Sequence, residues 1–151
     1  MKNQFIISLL ILSVGLSQKE YDINHIVEQN NVYIKKFSDE IVNGKVFQMF
    51  GDMKVPLGKM KNGKKNGKWT EWYKNGQKKE EGTYKDGKED GLDIGWYENG
   101  QKQLEETWKD GKEDGLVTQW YENGQKQLEG PWKDGNIVSY KEWNEDGSVK
   151  E

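Results

Sequence analysis

Apolar and polar residues alternate in short runs along most of this chain, and the runs recur at a fixed spacing. Leu92, Ile94 and Trp96 alternate with Asp93, Gly95 and Tyr97. A few residues on, Leu104 and Trp108 stand among Gln103, Glu105 and Thr107. A period of two is the mark of a half-buried strand. Asn99-Gly100 separates the two runs, and Asp110-Gly111 follows the second. Such dipeptides specify tight hairpin turns, because these need a positive φ that glycine adopts without strain.

The runs belong to a repeat. Residues 66–89, 90–113 and 114–137 align without gaps at a period of 24, the last two blocks agreeing at 17 of 24 positions and the first two at 14. Each block opens on Gly67, Gly91 or Gly115 and continues with Trp72-Tyr73, Trp96-Tyr97 or Trp120-Tyr121. An Asn-Gly pair follows, then a second aromatic at Tyr84, Trp108 or Trp132, then Asp-Gly. Worn copies flank the three. Gly58–Gly63 aligns with Gly82–Gly87, Gly44–Phe50 resembles a shortened strand, and Trp143–Gly147 repeats the Trp-to-Gly spacing. Terminal units are expected to be atypical because they cap the stack. The layout is therefore a capping hairpin or strand over 18–41, with apolar stretches around Gln29-Asn30-Asn31. Repeats follow at about 42–65, 66–89, 90–113 and 114–137, with a partial unit at 138–151.

Parity then predicts the loop. The apolar residues of both strands in the middle block fall on even numbers. A two-residue Asn-Gly turn would pair even with odd and separate Trp96 from Leu104. A three-residue loop, Glu98-Asn99-Gly100 with a glycine bulge, pairs Tyr97 with Gln101 and even with even. On that register Trp72, Trp96 and Trp120 share one face with Tyr84, Trp108 and Trp132, while Tyr73, Tyr97 and Tyr121 lie on the other. The expected fold is all-β, an antiparallel β-meander forming a single curved sheet. Those six aromatics are its candidate interaction face, since no second layer is encoded to cover them. A buried central Trp truncated to Ala is expected to cost about 3–5 kcal/mol.

Composition changes this picture little. Hydrophobic residues make up 32%, lean for a deep core, but seven Trp and seven Tyr argue against disorder. The net charge of −3, with Lys and Glu interleaved, gives no basic surface for nucleic acid. There is no Cys and a single His, His25, which removes disulfides, thiolate metal sites and a histidine-based triad. No metal or cofactor is expected. At the N-terminus, Lys2 precedes an apolar run from Phe5 to Leu16, too short for a membrane-spanning helix of about 20 residues. Gly15 and Ser17 occupy the positions of a signal-peptidase cut. Residues 1–17 are thus expected to be a signal peptide cleaved after Ser17, and the mature protein secreted or periplasmic.

The repeat resembles the bacterial variant of the MORN repeat, G-x-W/Y-x-x-W-Y-x-N-G-Q-x-x-x-E-x-x-Y/W-K-D-G-K-x-D-G, over about Val42 to Gly147. It is found in YwqK-family antitoxins of toxin–antitoxin systems. The resemblance implies a β-hairpin array that mediates protein contacts and carries no catalytic residue. An exported partner would be consistent with both the leader and the antitoxin likeness.

Other chemistries fit less well. Asp86–Gly91 lacks the third and twelfth donors of a calcium loop, where Lys88 and Tyr97 stand, and reads as a polar hairpin loop. Aromatic faces can take sugars or choline, the alternative ligands for this sheet. Glu80, Glu81, Glu105, Glu106 and Glu129 could supply a glycosidase pair, but carboxylates that recur with a repeat read as solvated charges. The sequence thus describes an exported, non-enzymatic repeat protein that binds a protein partner, with an antitoxin or immunity role as the alternative.

Overall fold

The computed structural model describes residues 18–150; the expected signal peptide lies outside them. The N-terminal part holds β1 (Glu20–Asp22), a 3-10 turn at Ile23–His25, β2 (Ile26–Gln29), β3 (Val32–Lys35), β4 (Gly44–Phe50), β5 (Met53–Lys61) and β6 (Lys64–Lys65). The first full repeat supplies β7 (Gly67–Trp72), β8 (Lys78–Lys85) and β9 (Lys88–Glu89). The second gives β10 (Gly91–Trp96), β11 (Lys102–Lys109) and β12 (Lys112–Glu113). The third gives β13 (Gly115–Trp120), β14 (Lys126–Lys133) and β15 (Asn136–Ile137), and β16 (Lys141–Glu142) follows.

The repeats form an open antiparallel meander. Its neighbours run β7, β8, β10, β11, β13, β14 in chain order, with β9, β12, β15 and β16 as short additions. Each Asp-Gly pair closes a two-residue turn. Lys85 pairs with Lys88, and Asp86 and Gly87 both have positive φ, 50° and 89°. That is the hairpin turn whose twist matches the strands it joins.

Two features depart from a single meander. The backbone ladders make three sheets, with β1-β4-β5-β6 and the β2-β3 hairpin separate from the repeats. Between β5 and β7 the contact passes through side chains: the Trp69 and Trp72 indole N–H groups donate to the Lys59 and Pro56 carbonyls, at 3.1 and 2.9 Å. Pro56 has no N–H to offer a ladder. In addition, β1 pairs parallel to β4, Glu20 beside Lys45. The hairpin between them works as a crossover that returns the chain in the same direction.

The deep packing sits at this N-terminal end. Tyr21, Ile26, Val42, Val46, Leu57, Met60 and Trp69 form the buried cluster, with Val42 and Met60 fully enclosed. The repeats beyond it are thin. They are tied to one another by polar contacts that repeat with the sequence. The Tyr73, Tyr97 and Tyr121 hydroxyls donate to the carbonyls of Trp96, Trp120 and Trp143, at 2.7, 2.7 and 2.9 Å. Asn75, Asn99 and Asn123 donate to Glu98, Glu122 and Glu145 in the same way. The Trp-Tyr-x-Asn-Gly motif is thus a clasp onto the next unit.

Candidate functional site

The expected three-residue loop is present. Tyr97 N–H donates to Gln101 O and Gly100 N–H to Tyr97 O, each at 2.9 Å. Even-to-even pairing nonetheless ends one residue later. Trp96 pairs with Lys102, but Gly95 pairs with Leu104, leaving Gln103 as a bulge. The same slip occurs at Lys79 and Gln127, since Trp72 pairs with Lys78 but Glu71 with Glu80, and Trp120 with Lys126 but Gln119 with Leu128. A one-residue slip exchanges the faces of everything beyond it. The expected single face is therefore corrected: Trp72, Trp96 and Trp120 lie on one side of the sheet, and Tyr84, Trp108 and Trp132 on the other.

The bulge has a packing consequence on each side. Beyond it, Gly67, Gly91 and Gly115 stand directly opposite Tyr84, Trp108 and Trp132. A bulky ring is thereby matched to a residue without a side chain. Before it, Lys78, Lys102 and Lys126 come onto the face of the first tryptophan row. Their ammonium groups sit 5.6, 5.7 and 5.7 Å from the ring centres of Trp96, Trp120 and Trp143, within cation–π range. Each also pairs with the carboxylate three residues on, Glu81, Glu105 or Glu129. Glu81 takes Lys68 as well, at 2.7 Å, and hydrogen bonds from Lys68 and Lys78 hold its carboxyl below the usual range. This ladder face thus alternates Trp and Lys across strands; its tryptophans do not form a three-sided cage. Leu92 and Leu116 lie on it in equivalent positions and are 46% and 54% exposed. At its N-terminal end is an apolar cavity of about 540 Å³, lined by Phe47, Pro56, Leu57 and Trp72 among others.

The opposite face carries Tyr73, Tyr97 and Tyr121 together with the second aromatic row. Here the middle repeat differs from its neighbours. Asp93 replaces the Trp69 and Val117 of the flanking blocks, and Glu106 replaces Gly82 and Gly130. Asp93 and Glu106 are cross-strand partners. Asp93 is 6% exposed, with Oδ2 resting against Gly82 where a Cβ would stand. Burial, reinforced by Glu80, Glu106 and Glu89, pushes its carboxyl up to about 7. Burial also raises Glu106, although the Trp108 indole donates to it at 2.9 Å. Burial likewise holds the Tyr84 phenol well above its ordinary value. Trp132, whose neighbour on this row is Gly130, has no such acceptor, and its buried indole nitrogen is unpaired among the described residues.

Of the five glutamates considered as charges, Glu81, Glu105 and Glu129 belong to the ladder and Glu80 and Glu106 to the tyrosine face. All five are partly buried rather than freely solvated. Reading the repeat for what recurs passes over Asp93; reading it for what fails to recur would have found it. Among the described residues no group of three His, Cys, Asp or Glu is placed to hold a metal.

Residues 65–86, 89–110 and 113–134 match the family described as MORN repeat variant. Together these three blocks, which make up under half of the chain, are similar to that repeat. The MORN repeat is generally a non-enzymatic scaffold unit and commonly mediates protein contacts. No curated protein and no solved structure matches the chain.

Proposed function

We propose that this chain is an exported, non-enzymatic scaffold that binds a protein partner through the ladder face. The observation that carries the reading is the repetition of exposed Leu92 and Leu116 beside an apolar cavity at Trp72, on a sheet with no second layer over it. Spaced apolar anchors with charged pairs between them suit a partner with a matching repeat or an extended strand. The Lys–Glu pairs around the tryptophans supply the polar surround. In this reading residues 1–17 direct export and the partner is met outside the cytoplasm. An exported toxin would be one such partner, which is how the antitoxin likeness fits.

The test compares capture from the envelope fraction by wild type and by a Leu92→Glu, Leu116→Glu double variant. Both positions are exposed, so the variant is expected to melt within a few degrees of wild type. The expected result is a partner recovered by wild type and lost with the variant. Equal recovery by both, or no partner for wild type, would count against the ladder face.

A further inference from the structure

We propose that the notch around Asp93 on the tyrosine face binds an organic cation through its alkylammonium or guanidinium group. The site is independent of what binds the ladder face. Its cavity holds about 380 Å³ and is lined by Asp93, Glu106, Glu80, Tyr73, Tyr97 and Gln119 among others. Asp93 is more than nine-tenths buried and lines this cavity, and the influences on its carboxyl are burial and neighbouring charges, with no hydrogen bond among them. A buried carboxylate normally has a partner, since leaving it unpaired is costly.

The local cations are committed elsewhere. Lys79, on the notch wall, pairs with Glu71 at 3.0 Å. Lys65 stands over the rings of Trp69 and Tyr84, 5.0 and 4.5 Å from their centres. The Tyr73 and Tyr97 hydroxyls spend their protons on the Trp96 and Trp120 carbonyls. They therefore present ring and oxygen lone pair, not a donor, to the cavity. Carboxylates, phenol oxygens and aromatic ring faces together are acceptors for N–H groups. The absence of three clustered metal-binding side chains among the described residues points to an organic cation over a divalent metal. The volume suits the end of a chain, such as a lysine or arginine side chain or a small diamine.

The flanking repeats show what the notch displaces. A tryptophan or a valine fills the same position there, so apolar packing is available to this backbone. The charged groups facing Asp93 are Glu80 from β8, Glu89 from β9, Glu106 from β11 and Lys65 from β6. Three of these four are acidic, so a cation entering the notch favours the ionised carboxyl. Affinity is therefore expected to rise as pH climbs through about 7 and to level off above it.

The experiment is a calorimetric and NMR titration of the full mature chain at pH 5.5 and pH 8. The probes are butylammonium and agmatine as free amines, N-acetyl-lysine methylamide as a peptide-borne one, and butanol as the neutral match. The expected result is saturable binding of the cations, about tenfold or more tighter at pH 8 than at pH 5.5, with none for butanol. Binding by the free amines and the peptide alike marks a site for the group itself; binding by the peptide alone marks a partner's side chain. Asp93→Asn is expected to lose the binding and its pH dependence while melting no lower than wild type. Glu106→Gln, expected to weaken the binding, gives the same readout if the first variant is poorly folded. No saturation at pH 8, equal binding of butanol, or undiminished binding in both variants would overturn the proposal.

Discussion

Asp93 stands where the neighbouring repeats carry Trp69 and Val117, and burial with nearby carboxylates pushes its carboxyl up to about 7, so that the protonated form is favoured below that pH. A carboxyl whose folded value lies near 7, above the ordinary aspartate value, binds more protons folded than unfolded between about pH 4 and 7. Stability is therefore greatest from this group at the acidic end of that window and falls as pH rises toward 7. Asp93→Asn, neutral at every pH, is expected to flatten that part of the profile and to be the more stable chain at pH 8. Urea midpoints at pH 5, 6, 7 and 8 measure it; a parallel profile in the variant would mean Asp93 does not titrate in this window. At the opposite extreme of packing is Gly58, where an added Cβ would lie 2.5 Å from the Trp69 indole. Trp69 belongs to the buried cluster, so its ring has little room to give. Gly58→Ala is expected to destabilise by about 1–3 kcal/mol, the range for overpacking. Tyr97→Phe removes one clasp between repeats and is expected to cost about 1 kcal/mol.

At the scale of the hairpin, the leftover residue decides which side chains meet. Deleting Gln103 would remove the bulge and leave the cross-strand pairs as they are, Lys102 opposite Trp96, Leu104 opposite Gly95 and Glu106 opposite Asp93. That deletion is expected to change stability by about 1 kcal/mol, the typical effect of a single change, because both faces keep their residues. Gln103→Ala, which keeps the bulge, is expected to change stability by less than about 0.5 kcal/mol. Denaturant melts of the two separate the residue's side chain from its place in the count. The repeat length, the turns, the loop of three and the strand pairs could all be read from the chain, because Asn-Gly, Asp-Gly and alternation are local signals. The bulge was not legible in the same way. It sits between Lys102 and Leu104, where no glycine or proline marks it, and its reward lies across strands: the Lys78-to-Trp96 stacking and the glycine opposite each second aromatic. Those glycines were visible at the block starts, but their partners depend on the register. The notch was missed for a related reason. A repeat directs attention to shared positions, and Asp93 and Glu106 are the positions that are not shared.

Across the whole molecule, packing is graded from one end to the other. The N-terminal strands and Trp69 hold the enclosed core, whereas each later repeat leans on its neighbour through tyrosine, asparagine and backbone clasps. Quasi-one-dimensional arrays lose stability roughly unit by unit. Amide exchange is therefore expected to be slowest in β4 to β8 and to quicken toward β14 and β16. Uniform protection across the repeats would show that the thin part is no weaker than the core. The same grading leaves both faces of the later repeats available: lysine-stacked tryptophans and exposed leucines on one, tyrosines and buried carboxylates on the other. The make-up of both faces depends on the bulge in each repeat. The most direct measurement is the cross-strand NOE pattern of the middle hairpin in the isotope-labelled chain. The expected contacts are Trp96 with Lys102, Asp93 with Glu106 and Gly91 with Trp108. Contacts of Ile94 with Leu104 and Leu92 with Glu106, the register of an unbroken hairpin, would contradict it.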